Sequence, residues 1–135
     1  MAERTVAWIF PGQGSQKVGM GQAIFAAEPA AATVMAEADA ALGFPLSRTI
    51  ANGPDAALQL TATQQPAIVA VSVAYQRALA ARGVLPEPAY VAGHSLGEYS
   101  ALVAVDALDL AEALRLVRRR GELMQEHGAG AMAAI

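Results

Sequence analysis

Cysteine is absent from the 135 residues, which removes disulfides and thiolate metal sites and fits a reducing, cytoplasmic setting. Charge is scarce. Asp, Glu, Lys and Arg make up 16% of the chain against 55% apolar residues, a balance that excludes intrinsic disorder. So little charge also predicts that much of the surface is covered by something outside these residues. Neither sign dominates: the formal net charge is −3, so no broad basic surface invites nucleic acid. No uninterrupted apolar run reaches the roughly 20 residues needed to cross a bilayer. Met1-Ala2-Glu3-Arg4 leads into a strand, without the long apolar core of a signal peptide. The expected partners therefore include no nucleic acid and no membrane. The length suits one compact core and not two comfortable domains.

What is present centres on Tyr90-Val91-Ala92-Gly93-His94-Ser95-Leu96-Gly97-Glu98. A short apolar run passes through Gly-x-Ser-x-Gly into an alanine-rich amphipathic segment, Tyr99 to Val105. A serine at the apex of a sharp strand-to-helix turn is held in a strained backbone with its hydroxyl exposed. Gly93 and Gly97 remove the Cβ atoms that would collide there. The N–H groups of the following helix point at any oxyanion formed on the serine. Ser95 is the candidate nucleophile; the five-residue pattern alone leaves an ordinary turn open.

Upstream, Thr5 to Phe10 reads as a buried parallel strand feeding Pro11-Gly12-Gln13-Gly14-Ser15, where open α/β sheets place ligands. The loop lacks the Gly-Lys-Ser/Thr ending of a phosphate-binding loop and the glycine spacing of a dinucleotide site. It is either a plain turn or a device that aims a backbone amide near Gln13 into a site. Pro29 to Leu42 reads as a helix opened by proline and closed by Gly43. Asn52-Gly53-Pro54 marks a turn. Pro66 to Arg82 reads as a second helix with proline at its start, apolar nearly all round in its first half and so buried there. Gln65, just ahead of it, reads first as a capping or loop residue. Pro86-Glu87-Pro88 leads into a second strand, Ala89 to Ala92. The order strand, helices, strand, elbow, helix predicts an α/β fold, a parallel sheet with crossover helices.

Asp109 is placed to cap a last helix running to about Glu126. On it, residues three and four apart share a face. Arg118 and Arg119 each neighbour Arg115 and Glu122 and read as solvated. Arg120 neighbours Leu116, Val117, Leu123 and Met124. A guanidinium beside an apolar stripe needs an anion, either a protein carboxylate or a ligand's; its planar fork suits bidentate capture of a carboxylate. His94 should point away from the serine and His127 reads as a surface residue. The nucleophile therefore has no evident base, and an unactivated serine is a poor nucleophile.

Four ordered motifs resemble one family. They are Phe10-Pro11-Gly12-Gln13-Gly14-Ser15-Gln16, Thr63-Gln64-Gln65-Pro66-Ala67, Gly93-His94-Ser95-Leu96-Gly97-Glu98-Tyr99-Ser100-Ala101, and Arg115-Leu116-Val117 with Arg120-Gly121. Over essentially the whole chain they resemble malonyl-CoA:acyl-carrier-protein transacylases and the acyltransferase domains of polyketide and fatty acid synthases. The resemblance implies an α/β-hydrolase-like large subdomain, present incompletely. It implies that Ser95 carries malonyl as an ester, that the amides of Leu96 and Gln13 form the oxyanion hole, that Arg120 binds the malonyl carboxylate, and that Gln65 helps hold the acyl group. The implied partners are malonyl-CoA and the phosphopantetheine arm of acyl carrier protein, with no metal and no cofactor.

Two departures stand out. Asp106 lies where the family more often has glycine, and aspartate tolerates unusual backbone angles. Family members also continue well beyond Ile135, through a ferredoxin-like subdomain that residues 131–135 would enter and back into the large one. By the resemblance that part carries the catalytic histidine. Residues 1–135 alone are therefore expected to be poorly active. Two other readings are a serine hydrolase, an esterase or thioesterase using the same elbow, and a non-enzymatic binding chain.

Overall fold

A computed structural model describes residues 5–130. The elements, in chain order, are β1 (Ala7–Phe10), α1 (Gln22–Ala27), α2 (Pro29–Leu42), α3 (Leu46–Asn52), α4 (Asp55–Gln59), α5 (Thr61–Ala81), β2 (Tyr90–Gly93), α6 (Gly97–Ala104) and α7 (Leu110–His127). β1 and β2 pair in parallel, with Ala7 opposite Tyr90 and Phe10 opposite Gly93. The crossover between them carries α1 to α5, the α/β arrangement expected from the order of segments.

The core lies among helices. α2 presents Ala31, Val34, Met35 and Ala38, and α7 presents Leu110, Ala113, Leu114, Val117 and Gly121, each set at helical spacing. Both pack on α5, which is buried without interruption from Gln64 to Ala70. Proline opens α2, and Gly43 closes it at φ 70°. Asp109 caps α7 by accepting from the Glu112 N–H at 3.1 Å. The three short helices α1, α3 and α4 have no counterpart in the sequence reading. At five to seven residues, they are too short to declare a period.

Two expectations are corrected. The second long helix does not begin at Pro66; α5 starts at Thr61 and holds Pro66 inside. Proline forfeits one intrahelical bond and crowds the carbonyl four residues back. The turn ahead of it is nonetheless formed, because the Leu60 carbonyl accepts from Thr63 and Gln64 at 2.8 and 2.7 Å and α7 lies against it. The first strand, in turn, is parallel but not buried: Ile9 is 77% exposed, as is Tyr90 at 70% in β2, and only Phe10 is covered. Beside β1 an open groove of about 540 Å³ is lined by Trp8, Ile9, Phe10, Ile68, Tyr75 and Leu79 among others. The reading of residues 131–135 as an entering strand falls outside the described residues.

Candidate active site

The site is built at the carboxyl ends of the two strands. Between β2 and α6 the chain turns through His94, Ser95 and Leu96, and Ser95 takes a left-handed φ of 52°. Such a conformation costs a non-glycine residue on the order of 1–3 kcal/mol, and the surroundings must impose it. Here they do. A Cβ on Gly93 would fall on the Gly97 carbonyl, and one on Gly97 would fall on the Phe10 carbonyl oxygen. The two glycines let β2, α6 and the end of β1 converge, and the serine between them is left exposed. Asp106, the other non-glycine residue with positive φ among the described residues, adopts 57° in the loop after α6.

The glycine-rich loop after β1 lies against this turn. Gly12 sits so close to His94 that a Cβ would be 2.6 Å from its carbonyl oxygen and 2.8 Å from Nδ1. Ser15 Oγ donates to the Gly12 carbonyl at 3.0 Å, and Gly14 N–H to Gln16 Oε1 at 3.0 Å, so the loop is internally braced. Among the described residues the N–H groups of Gln13 and Leu96 make no backbone hydrogen bond outside the regular elements. His94 gives its backbone to the turn, donating to Phe10 O and accepting from Gly97 N–H.

The remaining side chains come from helices distant in sequence. Arg120 Nη2 donates to Ser95 Oγ at 2.8 Å, and Nη1 donates to Gln65 Oε1 at 2.8 Å. Gln65 is neither cap nor loop residue. It lies fully buried within α5, and its Nε2 donates to Met124 Sδ at 3.2 Å. Arg120 has no carboxylate partner among the described residues, which removes the structural ion pair. Arg118 and Arg119 both pair with Glu122 at 3.2 Å. Hydrogen bonds from Arg119 and then Arg118 hold the Glu122 carboxyl below its ordinary pKa. The structure thus gathers Ser95, Arg120 and Gln65 into one bonded chain. No histidine among the described residues hydrogen-bonds to the Ser95 hydroxyl: His94 packs at Gly12, and His127 lies beside Glu126.

Sequence reasoning missed two members, Met124 and Gly121. Met124 was seen only as part of an apolar stripe. Gly121 entered only as part of the Arg120-Gly121 motif, with no role given, since that role is an approach between helices: a Cβ there would sit 2.5 Å from Thr61 O and 2.7 Å from Ala62 Cα.

A parallel α/β framework that presents an exposed serine with positive φ at a strand-to-helix turn has the geometry of a nucleophile elbow. Comparison with known proteins goes further. The acyl transferase domain model matches residues 7–135, and the chain belongs to that family. It is 49% identical over 132 residues to the malonyl CoA-acyl carrier protein transacylase of Escherichia coli strain K12, covering 96% of this chain and 42% of that protein. To the corresponding Bacillus subtilis strain 168 protein it is 47% identical over 133 residues, covering 96% and 41%. A malonyl-transacylase solved with its type II polyketide acyl-carrier protein superposes with a TM-score of 0.87 at 45% identity, over 91% of this chain and 40% of that one. The chain spans about two fifths of the length of these relatives.

Proposed function

We propose that this protein transfers a malonyl group from malonyl-CoA to the phosphopantetheine thiol of acyl carrier protein, in fatty acid or polyketide synthesis in the cytoplasm. Ser95 Oγ attacks the thioester carbonyl, and the carbon–sulfur bond breaks. Coenzyme A leaves as its thiol with the serine's proton, and malonyl remains as an ester on Ser95. The carrier thiol then attacks that ester, and Ser95 recovers its proton. In each half-reaction the oxyanion lies between the N–H groups of Leu96 and Gln13, which the elbow and the glycine-rich loop leave unengaged.

The observation that carries this reading is Arg120. A half-buried guanidinium with no carboxylate partner among the described residues reaches the Ser95 hydroxyl itself at 2.8 Å. An acyl group whose carboxylate lies one carbon beyond the reacting carbonyl is short enough to meet that guanidinium while bound to Ser95. Bidentate, charge-assisted hydrogen bonds suit the pair. Gln65, a neutral acceptor, steadies the cation without cancelling its charge and so helps hold the acyl group. The base that activates Ser95 is not among the described residues. We assign it to protein outside residues 1–135, which then form part of the large subdomain. On this reading residues 1–135 alone turn over poorly.

The test is intact mass of the complete protein after incubation with malonyl-CoA. A malonyl adduct that persists until holo acyl carrier protein is added, then moves to the carrier, supports transfer. An adduct lost rapidly to water makes the protein a hydrolase. No adduct at all contradicts both.

A further inference from the structure

The Gln65 amide has one way to satisfy its neighbours. A guanidinium offers only donors, and a thioether only a weak acceptor. The carbonyl end must therefore face Arg120, at 2.8 Å, and the NH2 end must face Met124 Sδ, at 3.2 Å. Turned over, the amide would set donor against donor. Water cannot repair that mismatch, because Gln65 is fully buried. Arg120 and Met124 stand four residues apart on α7 and share a face. A single helical turn thus supplies both ends of the constraint. That turn is seated by Gly121, where a Cβ would meet Thr61 O at 2.5 Å and Ala62 Cα at 2.7 Å. Both obstacles are backbone, so no rotamer change relieves them; α7 would have to lift from the first turn of α5.

We propose that Met124 and Gly121 are positioning residues for carboxylate selection. Met124 orients Gln65 so that its carbonyl faces Arg120, and Gly121 sets the depth at which α7 delivers the guanidinium to Ser95. The inference rests on the malonyl-transfer reading and adds to it residues that touch no substrate. Substitution at either position loosens the arginine rather than the nucleophile. The loss therefore falls on acyl groups with a carboxylate and spares those without one.

The experiment compares kcat and KM for malonyl-CoA and acetyl-CoA in the complete protein. Met124→Leu keeps the volume and removes the acceptor. Loss of one weak hydrogen bond predicts a fall of about 3- to 10-fold in malonyl kcat/KM, carried by KM. Acetyl kcat/KM should change less than about twofold, and the unfolding midpoint should stay near the parent's. Met124→Gln, with a carbonyl able to accept from the same N–H, should recover most of the malonyl-to-acetyl ratio. Gly121→Ala should reduce that ratio further and lower the unfolding midpoint; if it does not fold, the two Met124 variants still decide. An undiminished ratio in Met124→Leu, or equal losses for both substrates, overturns this inference and leaves malonyl transfer intact. A parent enzyme with no preference for malonyl overturns the underlying reading and this inference with it.

Discussion

Three consecutive arginines on α7 meet two different fates. Arg118 and Arg119 lie on the side of the helix where Glu122 answers both at 3.2 Å, and Arg118 also covers the Phe44 ring at 4.4 Å. Arg120 turns to the other side, where the neighbours that answer it are an uncharged amide and a serine hydroxyl. The first two share one carboxylate and are open to water, so their pairing contributes little to stability. The third is partly withdrawn from water and has no carboxylate partner among the described residues. Desolvating a charge without a counter-ion is costly; under the proposed function the malonyl carboxylate supplies that counter-ion. One helix thus carries a closed electrostatic face and an open one, and Ser95 stands on the open side.

Substitutions can break this contrast, and their effects should be graded. The largest belongs to Ser95→Ala: no malonyl adduct should form, and transfer should fall by a factor of 10³ or more, as for other removed nucleophiles. Gln65→Glu should come next. A carboxylate against Arg120 would give the open face the same answer that Glu122 gives the closed one. Malonyl kcat/KM should drop on the order of 10²-fold, while acetyl kcat/KM holds within a few-fold. Asp109→Ala, which removes the side-chain acceptor at the start of α7, should cost about 1 kcal/mol in denaturant unfolding and leave the malonyl-to-acetyl ratio unchanged. The smallest effect should come from Glu122→Gln, with activity within about twofold of the parent. That variant has a pH signature. The Glu122 carboxyl is held below its ordinary pKa in the folded protein, so its stabilising contribution is present above the unfolded-state pKa. It is lost as pH falls through the lowered folded-state value. Unfolding midpoints of parent and Glu122→Gln should therefore differ near neutrality and converge in acid.

Much of this contrast was legible in the chain itself. The elbow could be read because its glycines stand two residues either side of Ser95, a spacing with a steric reason that the close approach of Gly93 to Gly97 bears out. The sorting of Arg118, Arg119 and Arg120 followed from which residues stand three and four positions away on a helix. α2 and the cap of α7 were likewise written locally, in Pro29, Gly43 and Asp109. What could not be read lay in contacts between distant segments. Gln65 looked like a cap because its partners, Arg120 and Met124, come from α7, 55 and 59 residues further along. Pro66 looked like a helix start because nothing local shows that α7 packs on the turn before it. The exposure of Ile9 depends on what lies beside β1, which no pattern within TVAWIF encodes.

The most direct test of the open face is Arg120→Ala in the complete protein, with malonyl-CoA and acetyl-CoA competing for Ser95 and the two adducts counted by intact mass. Malonyl loading should fall about 10²-fold or more while acetyl loading persists, so that the acetyl adduct gains ground. A variant that still selects malonyl as its parent does would show that the unpaired cation beside the serine takes no part in choosing the substrate.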